Sequence, residues 1–326
     1  MLRPTEHNTN NMRALAATKH ERIIETYAKM QTIYTPPSQY SGGFSKAMEC
    51  VEMMALEAVN TRFGTIGGQN YHYANAVVDE ETGEVMNLKR LLNHPKYMET
   101  WTRASANEFG RLFQGCGRNK DGSQRIEGTN ACHWIRRNQV PKGKTVSYNR
   151  SVADVRPEKA DPNRVRYTIG GDVLECAGPT STETSSIETA KLLINSTLST
   201  KGALFAAMDI ENFYIHNDLE DYQYMRFDMK MIPQEIKDEY NLETIVHTDG
   251  YCYVEVRKAL YGLHEAGYIA NVELKRILGV EGYVPSKYTS GLFTHKTRDI
   301  AFSLVVDDFG VRYTKREDAE HLLKTI

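Results

Sequence analysis

The sharpest chemical feature of the chain is the run Phe302-Ser303-Leu304-Val305-Val306-Asp307-Asp308-Phe309-Gly310-Val311, an apolar stretch, two adjacent carboxylates and a second apolar stretch. Neighbouring aspartates in a tight turn repel each other unless a cation lies between them, and hard divalent ions take carboxylate oxygens as ligands. Aspartate is also favoured in turns for conformational reasons alone. A second run, Phe205-Ala206-Ala207-Met208-Asp209-Ile210, ends in a single carboxylate that would serve equally as a helix N-cap. Two strand-borne carboxylates brought side by side make a two-metal site, which clamps the attacking and leaving oxygens of a phosphoryl transfer.

Strands are needed to place those acids, and the second half of the chain supplies them. Short apolar or alternating runs bounded by turn residues predict strands over 204–210, 224–228, 251–256, 292–295, 300–306 and 309–313. Helical spacing of apolar residues predicts helices over 99–113, 185–197, 266–278 and 316–326. Arg164–Ile169 alternates and is halted by Gly170-Gly171-Asp172, as an edge strand would be, while Arg118–Asp161 is rich in Gly, Pro, Asn and charge and predicts loops and short strands. Upstream, helices are expected over 12–32 and 44–59, separated by a linker at Pro36-Pro37-Ser38. Strands and helices in this mixed order, with hairpins, favour an α+β fold over a doubly wound one.

Charge adds a second signal. The chain has 326 residues and a net charge of -2, yet twelve Lys/Arg against five Asp/Glu between Arg118 and Arg166 make that segment +7 and leave the remainder -9. A basic segment interleaved with Trp134 and Tyr148 suits a phosphate-bearing partner, and acidic surroundings elsewhere suit divalent cations; a merely solvated face is the plainer alternative. With 40% apolar and 25% charged residues the composition is that of a folded globular chain. The longest apolar runs fall well short of a membrane span, and Met1-Leu2-Arg3-Pro4-Thr5-Glu6 lacks a signal-peptide pattern, so a cytoplasmic location is expected. Five cysteines without a C-x-x-C pair read as free thiols.

Three other matches fail on spacing or context. Gly143-Lys144-Thr145 would need a glycine at position 138 to be a phosphate loop, and that residue is Asn138. Cys132 and His133 are adjacent rather than spaced for tetrahedral zinc. The sequons at Asn149 and Asn195 have no visible secretory route.

Taken in order, Met208-Asp209-Ile210-Glu211-Asn212-Phe213-Tyr214, Lys258-Ala259-Leu260-Tyr261-Gly262-Leu263 and Val305-Val306-Asp307-Asp308 resemble polymerase motifs A, B and C of reverse transcriptases from copia-type (LTR) retrotransposon Pol polyproteins. Arg164–Gly171 resembles the fingers strand before motif A. Gly282-Tyr283 and Gly291-Leu292-Phe293 stand where the family has a glycine-aromatic pair and a leucine-phenylalanine. The likeness runs from about residue 74 to the C-terminus, and its specific part is 156–313.

The resemblance implies a right-hand polymerase fold within the α+β class, with fingers and a ferredoxin-like palm sheet carrying helices on one face, and a thumb that is missing or truncated. Residues 1–70 would be a partly disordered flanking region, 71–200 the fingers and upstream region, and 201–326 the palm, truncated in motif D. It implies an RNA-directed DNA polymerase working on an RNA template, a DNA primer and deoxynucleoside triphosphates with two Mg²⁺ ions, for which Mn²⁺ can substitute. No membrane is involved; the location would be cytoplasm, a virus-like particle or the nucleus. Asp209 and Asp307 would hold the ions with the carbonyl of Ile210, and Asp308 would assist electrostatically or as an outer ligand. Tyr214 would occlude a ribonucleotide 2′-hydroxyl, its plainer role being a core aromatic at a helix start. Lys159, Arg164 and Arg166 would clamp the triphosphate, where planar guanidinium suits phosphate. Glu265 stands in the nucleotide-binding set where the family usually has a glutamine, so a carboxylate replaces a neutral amide. Two alternatives stay open at this point: a non-catalytic retroelement remnant that only binds nucleic acid, and an unrelated two-metal phosphodiesterase or cyclase on a similar sheet.

Overall fold

The computed structural model describes residues 77–156, 161–176 and 178–326. The helices expected over 12–32 and 44–59, the flanking region 1–70 and Lys159 lie outside the described residues. Helices α1 (Leu88–Leu92) and α2 (Met98–Leu112) precede strands β1 (Cys116–Arg118), β2 (Gln124–Ile126), β3 (Cys132–Ile135), β4 (Val146–Val155) and β5 (Asn163–Ile169). There follow α3 (Ile187–Ser199), β6 (Leu204–Asp209), β7 (Asp218–Asp228), α4 (Gln234–Glu239), β8 (Tyr251–Lys258) and α5 (Ala266–Val280). The chain then runs through β9 (Tyr283–Pro285), β10 (Leu292–His295), β11 (Ile300–Val305), β12 (Asp308–Tyr313) and α6 (Arg316–Thr325). The class is mixed α+β, and no helix among the described residues is long and apolar enough to cross a membrane.

The described residues form two compact units, each drawn from separated segments: Thr182–Glu211 with Asn271–Ile326 in the first, and the described residues between 77 and 181 with Asn212–Ala270 in the second. The first unit is built on a five-stranded antiparallel sheet in the order β6-β12-β11-β10-β9. Alternation along β11 and β12 buries Ile300, Phe302, Leu304, Phe309, Val311 and Tyr313, each 5% exposed or less. Phe302 stacks on Phe293 at 5.0 Å between ring centroids and meets Phe309 at 5.1 Å, so one face of the sheet is tied into an aromatic core. Helices α3 and α6 pack on β12. The side chain of Ser186 caps α3 by accepting from the Thr189 N–H, which starts the helix two residues after the expected position.

The second unit holds a five-stranded sheet in the order β3-β8-β7-β4-β5, antiparallel except for β4 beside β7, and the short β1-β2 hairpin. Helix α2 packs on β5, with Trp101, Phe109 and Leu112 of the helix and Val165, Tyr167 and Ile169 of the strand all buried. Phe109 lies 4.5 Å from Tyr167 and 5.1 Å from Phe227, and Phe113 stacks on Trp134 at 4.3 Å. Tyr167 keeps its hydroxyl bonded to Ser105 at 2.7 Å inside this core, and burial raises its pKa.

Where the sequence predicts only loops and short strands, β4 is a ten-residue strand. Its residues do not alternate cleanly in polarity; it is held by seven registered pairs with β5, from Asn149↔Ile169 to Val155↔Asn163, and by parallel pairing with β7. Strand β7 likewise begins at Asp218 rather than 224, because a bulge between Asp218 and Gln223 lets a polar stretch pair with β8. Cys116, Cys132, Cys176 and Cys252 are free thiols, as their spacing predicts.

Candidate active site

In the first unit the acids come together through strand register. Asp308 opposes Asp209 directly, and Met208 opposes Phe309 one step along. Side chains alternate across a strand, so the two aspartates share the face opposite the Met208 and Phe309 side chains. The Ile210 N–H donates to the Asp307 carbonyl at 3.2 Å, a bond that flanks the Asp209/Asp308 pair and makes it the closer, non-hydrogen-bonded type. Like charges directly opposite on adjacent strands repel, and a divalent cation between them would be attracted by both.

The hairpin that presents Asp307 and Asp308 is tight. Val305 pairs with Asp308, leaving Val306 and Asp307 as a two-residue loop. Val306 sits at φ 60°, in the left-handed region. A β-branched residue there is an outlier costing about 1–2 kcal/mol, and such strain persists only where the surroundings impose it. Here the imposing frame is the buried β11-β12 ladder beneath the loop.

No group of three or more His, Cys, Asp or Glu side chains arranged to hold an ion occurs among the described residues. Magnesium keeps several waters and takes one or two carboxylates together with substrate phosphates, so an opposed carboxylate pair is a donor set it accepts. Asp209 and Asp308, with Asp307 adjacent and the Ile210 backbone beside it, fit that requirement.

The second unit carries the basic and aromatic residues. Arg164 and Arg166 point away from buried Val165 and Tyr167 on β5, and Arg164 lies opposite Asp154 of β4. Asp154 is 7% exposed; Arg156 Nε donates to its Oδ2 at 2.7 Å, while its Oδ1 has no hydrogen-bond partner. The Arg166 guanidinium lies over the Tyr261 ring at 5.6 Å, and Tyr261 meets Tyr214 edge-on at 4.8 Å. One line therefore runs Arg166, Tyr261, Tyr214.

Glycines allow that line to form. The Ile169 N–H donates to the Tyr261 carbonyl at 3.0 Å. A Cβ on Gly262, which has φ +103°, would lie 2.0 Å from the Ile169 carbonyl oxygen, and one on Gly171 equally close to the Gly262 oxygen. Glu265 immediately precedes α5, where its carbonyl accepts from the Ile269 N–H. A carboxylate at a helix N-terminus is favoured by the helix dipole, which is a local reason for an acid at this position.

The sequence-predicted residues thus fall into two groups: Asp209, Ile210, Asp307 and Asp308 in the first unit, and Arg164, Arg166, Tyr214 and Glu265 in the second, with Lys159 outside the described residues. Two further residues had no role in the sequence reading. Tyr261 lies inside the Lys258-Ala259-Leu260-Tyr261-Gly262-Leu263 run, but its contact with Arg166 depends on pairing between distant strands and loops. Asn212 sits at φ 59° between Asp209 and Tyr214 and accepts from Arg111 Nη1 at 2.5 Å; only its residue type, one that tolerates a left-handed backbone, hinted at this. Neither the family models nor the curated proteins compared with the chain produce a match.

Proposed function

We propose that the chain is the fingers-and-palm portion of a copia-type reverse transcriptase, an RNA-directed DNA polymerase that joins a deoxynucleotide to a primer 3′-hydroxyl. The observation that carries this reading is the acid constellation of the first unit: Asp209 opposed to Asp308 at the closer type of strand pair, beside a strained Val306-Asp307 loop. Opposed carboxylates offer oxygen ligands of the kind that hard divalent cations take. Two bound magnesium ions would supply Lewis-acid activation of the hydroxyl and neutralise charge on the transferring phosphoryl group.

The chain's own residues have separate tasks. Asp209 would hold the ions together with Asp307 and Asp308 of the hairpin, of which Asp308 lies directly opposite it, and the backbone of Ile210 lies beside them. Arg164 and Arg166 offer guanidinium groups to phosphate, and Tyr214 presents a ring to the sugar. The Tyr261 ring keeps Tyr214 and Arg166 in order.

Primer extension on poly-rA with oligo-dT, dTTP and Mg²⁺ tests the reading, with the full chain compared against Asp307→Asn and Asp209→Asn. Incorporation that both variants abolish is the expected result. Equal incorporation by the variants, or none by the native chain, overturns it. A second reading, a nucleic-acid-binding remnant without catalysis, is favoured by Glu265, whose carboxylate replaces a neutral amide. Its signature is binding of an RNA–DNA duplex that weakens steeply with salt, without incorporation.

A further inference from the structure

We infer that Arg111 is a positioning residue for nucleotide selection: through Asn212 it sets where the Tyr214 ring stands. This rests on the reading of Tyr214 as the ring that faces the sugar.

Arg111 occupies the last turn of α2. Its Nε and Nη2 donate to both carboxylate oxygens of Glu108 at 2.8 and 2.6 Å, and Glu108 is 6% exposed. Its backbone carbonyl accepts from the N–H and the hydroxyl of Thr129, both at 2.8 Å, so the helix end itself is clamped. Its third guanidinium nitrogen, Nη1, reaches Asn212 Oδ1 at 2.5 Å. The guanidinium therefore has a fixed orientation and directs a hydrogen bond at the loop.

The segment from Phe213 to Asn217 is stiff. Phe213 and Ile215 are buried at 5% and 1% exposure on either side of Tyr214. Asn217 Nδ2 donates to the carbonyls of both Phe213 and Tyr214, at 3.0 and 3.2 Å. The left-handed turn at Asn212 is thus the joint at the head of this segment, and its angle sets the direction in which the Tyr214 ring is carried. Tyr214 then meets Tyr261 at 4.8 Å. Replacing a largely buried ion pair by well-packed apolar residues of similar volume is often neutral or stabilising. Glu108 and Arg111 gain a purpose at this place if the pair exists to aim a donor at the joint.

Four full-length proteins test the inference: the native chain, Asn212→Gly, Asn212→Asp and Arg111→Lys. Glycine keeps the left-handed backbone but loses the acceptor, aspartate keeps an acceptor for Arg111, and lysine loses the planar fork. The readout is trapping of a dideoxy-terminated oligo-dT primer on poly-rA by dTTP or by UTP, so that no chemistry is required. Melting temperature is followed in parallel, and extension of an unblocked primer is measured separately.

The expected result is a preference of the native chain for dTTP that falls by at least about tenfold, equivalent to about 1.4 kcal/mol, in Asn212→Gly and Arg111→Lys. Asn212→Asp should retain it, and the melting temperature of Asn212→Gly should stay close to the native value. An unchanged preference in Asn212→Gly and Arg111→Lys overturns the tether while leaving the polymerase reading intact. Trapping with the expected preferences but without extension supports the tether and removes the catalytic reading. Trapping of neither nucleotide, or of both equally, by the native chain removes the role of Tyr214 and the tether together.

Discussion

Replacing Asp209 with asparagine should make the chain more stable in the absence of divalent cations and less responsive to them. Asp209 faces Asp308 across a non-hydrogen-bonded antiparallel pair, for which the Cα atoms lie about 4.5 Å apart. With carboxylates roughly 5 Å apart, Coulomb repulsion amounts to about 1 kcal/mol at the dielectric of water and about 3 kcal/mol at an effective value of 20. Asp308 is exposed and Asp209 half-buried, so the lower end applies, near 1 kcal/mol. For a domain of ordinary size that is about 2–4 °C in melting temperature. Thermal unfolding at low ionic strength with a chelator should therefore place Asp209→Asn above the native chain. Adding Mg²⁺ at about ten times its dissociation constant should stabilise the native chain by about 1.4 kcal/mol and the variant by much less, reversing the order. High salt should shrink the difference measured with the chelator. If Asp209→Asn melts at or below the native chain under chelation, and Mg²⁺ shifts both equally, the two carboxylates are not a cation-binding pair.

Three other outcomes can be checked on the same protein. Val306→Asn, which tolerates φ 60°, should gain about 1 kcal/mol in denaturant unfolding while lowering any primer extension, since the strained loop sets the acids. Gly262→Ala should cost about 3 kcal/mol or more, because its Cβ would meet the Ile169 carbonyl at 2.0 Å and its φ of +103° is strained for any side chain; native-like unfolding would contradict the close approach. Glu235 is held below the usual carboxylate range chiefly by its hydrogen bonds from Arg125, at 2.5 and 3.0 Å. A depressed folded-state pKa contributes stability above the unfolded pKa that is lost as pH falls through the folded value. Glu235→Gln should thus lose about 1–3 kcal/mol at pH 7 and show a shallower loss of stability on acidification from neutral pH, read from urea midpoints across pH; parallel pH curves for the two proteins would rule this out.

Much of the scaffold around the acids was legible along the chain because its signals are local. The apolar runs 300–306 and 309–313, separated by two aspartates, state a hairpin with acids at its tip, and the observed β11-β12 pair is that hairpin with Asp308 drawn into the start of β12. The helical spacing in 99–113 and 316–326 likewise matches α2 and α6 within one residue. Strand β4 was not legible, since Ser147 and Asp154 are its buried residues and its pairing comes from β5 and β7. Helix α4, six residues long, was missed because so short a segment shows less than two turns of any period.

The chain by itself determined which residues are able to do chemistry: strand-end aspartates, guanidinium groups alternating with buried apolar residues on Arg164–Ile169, and a tyrosine soon after Asp209. It determined too that those acids would sit at the ends of strands, because alternation and turn composition act over a few residues. Only the tertiary structure decided that Asp209 faces Asp308, that Arg166 lies over Tyr261, and that Arg111 reaches Asn212 across 101 positions of chain. These contacts join segments far apart in sequence, and no local periodicity encodes them. They depend on which strand pairs with which and in what register, a choice made by burying Phe302, Phe309, Tyr167 and Phe227 in their respective cores.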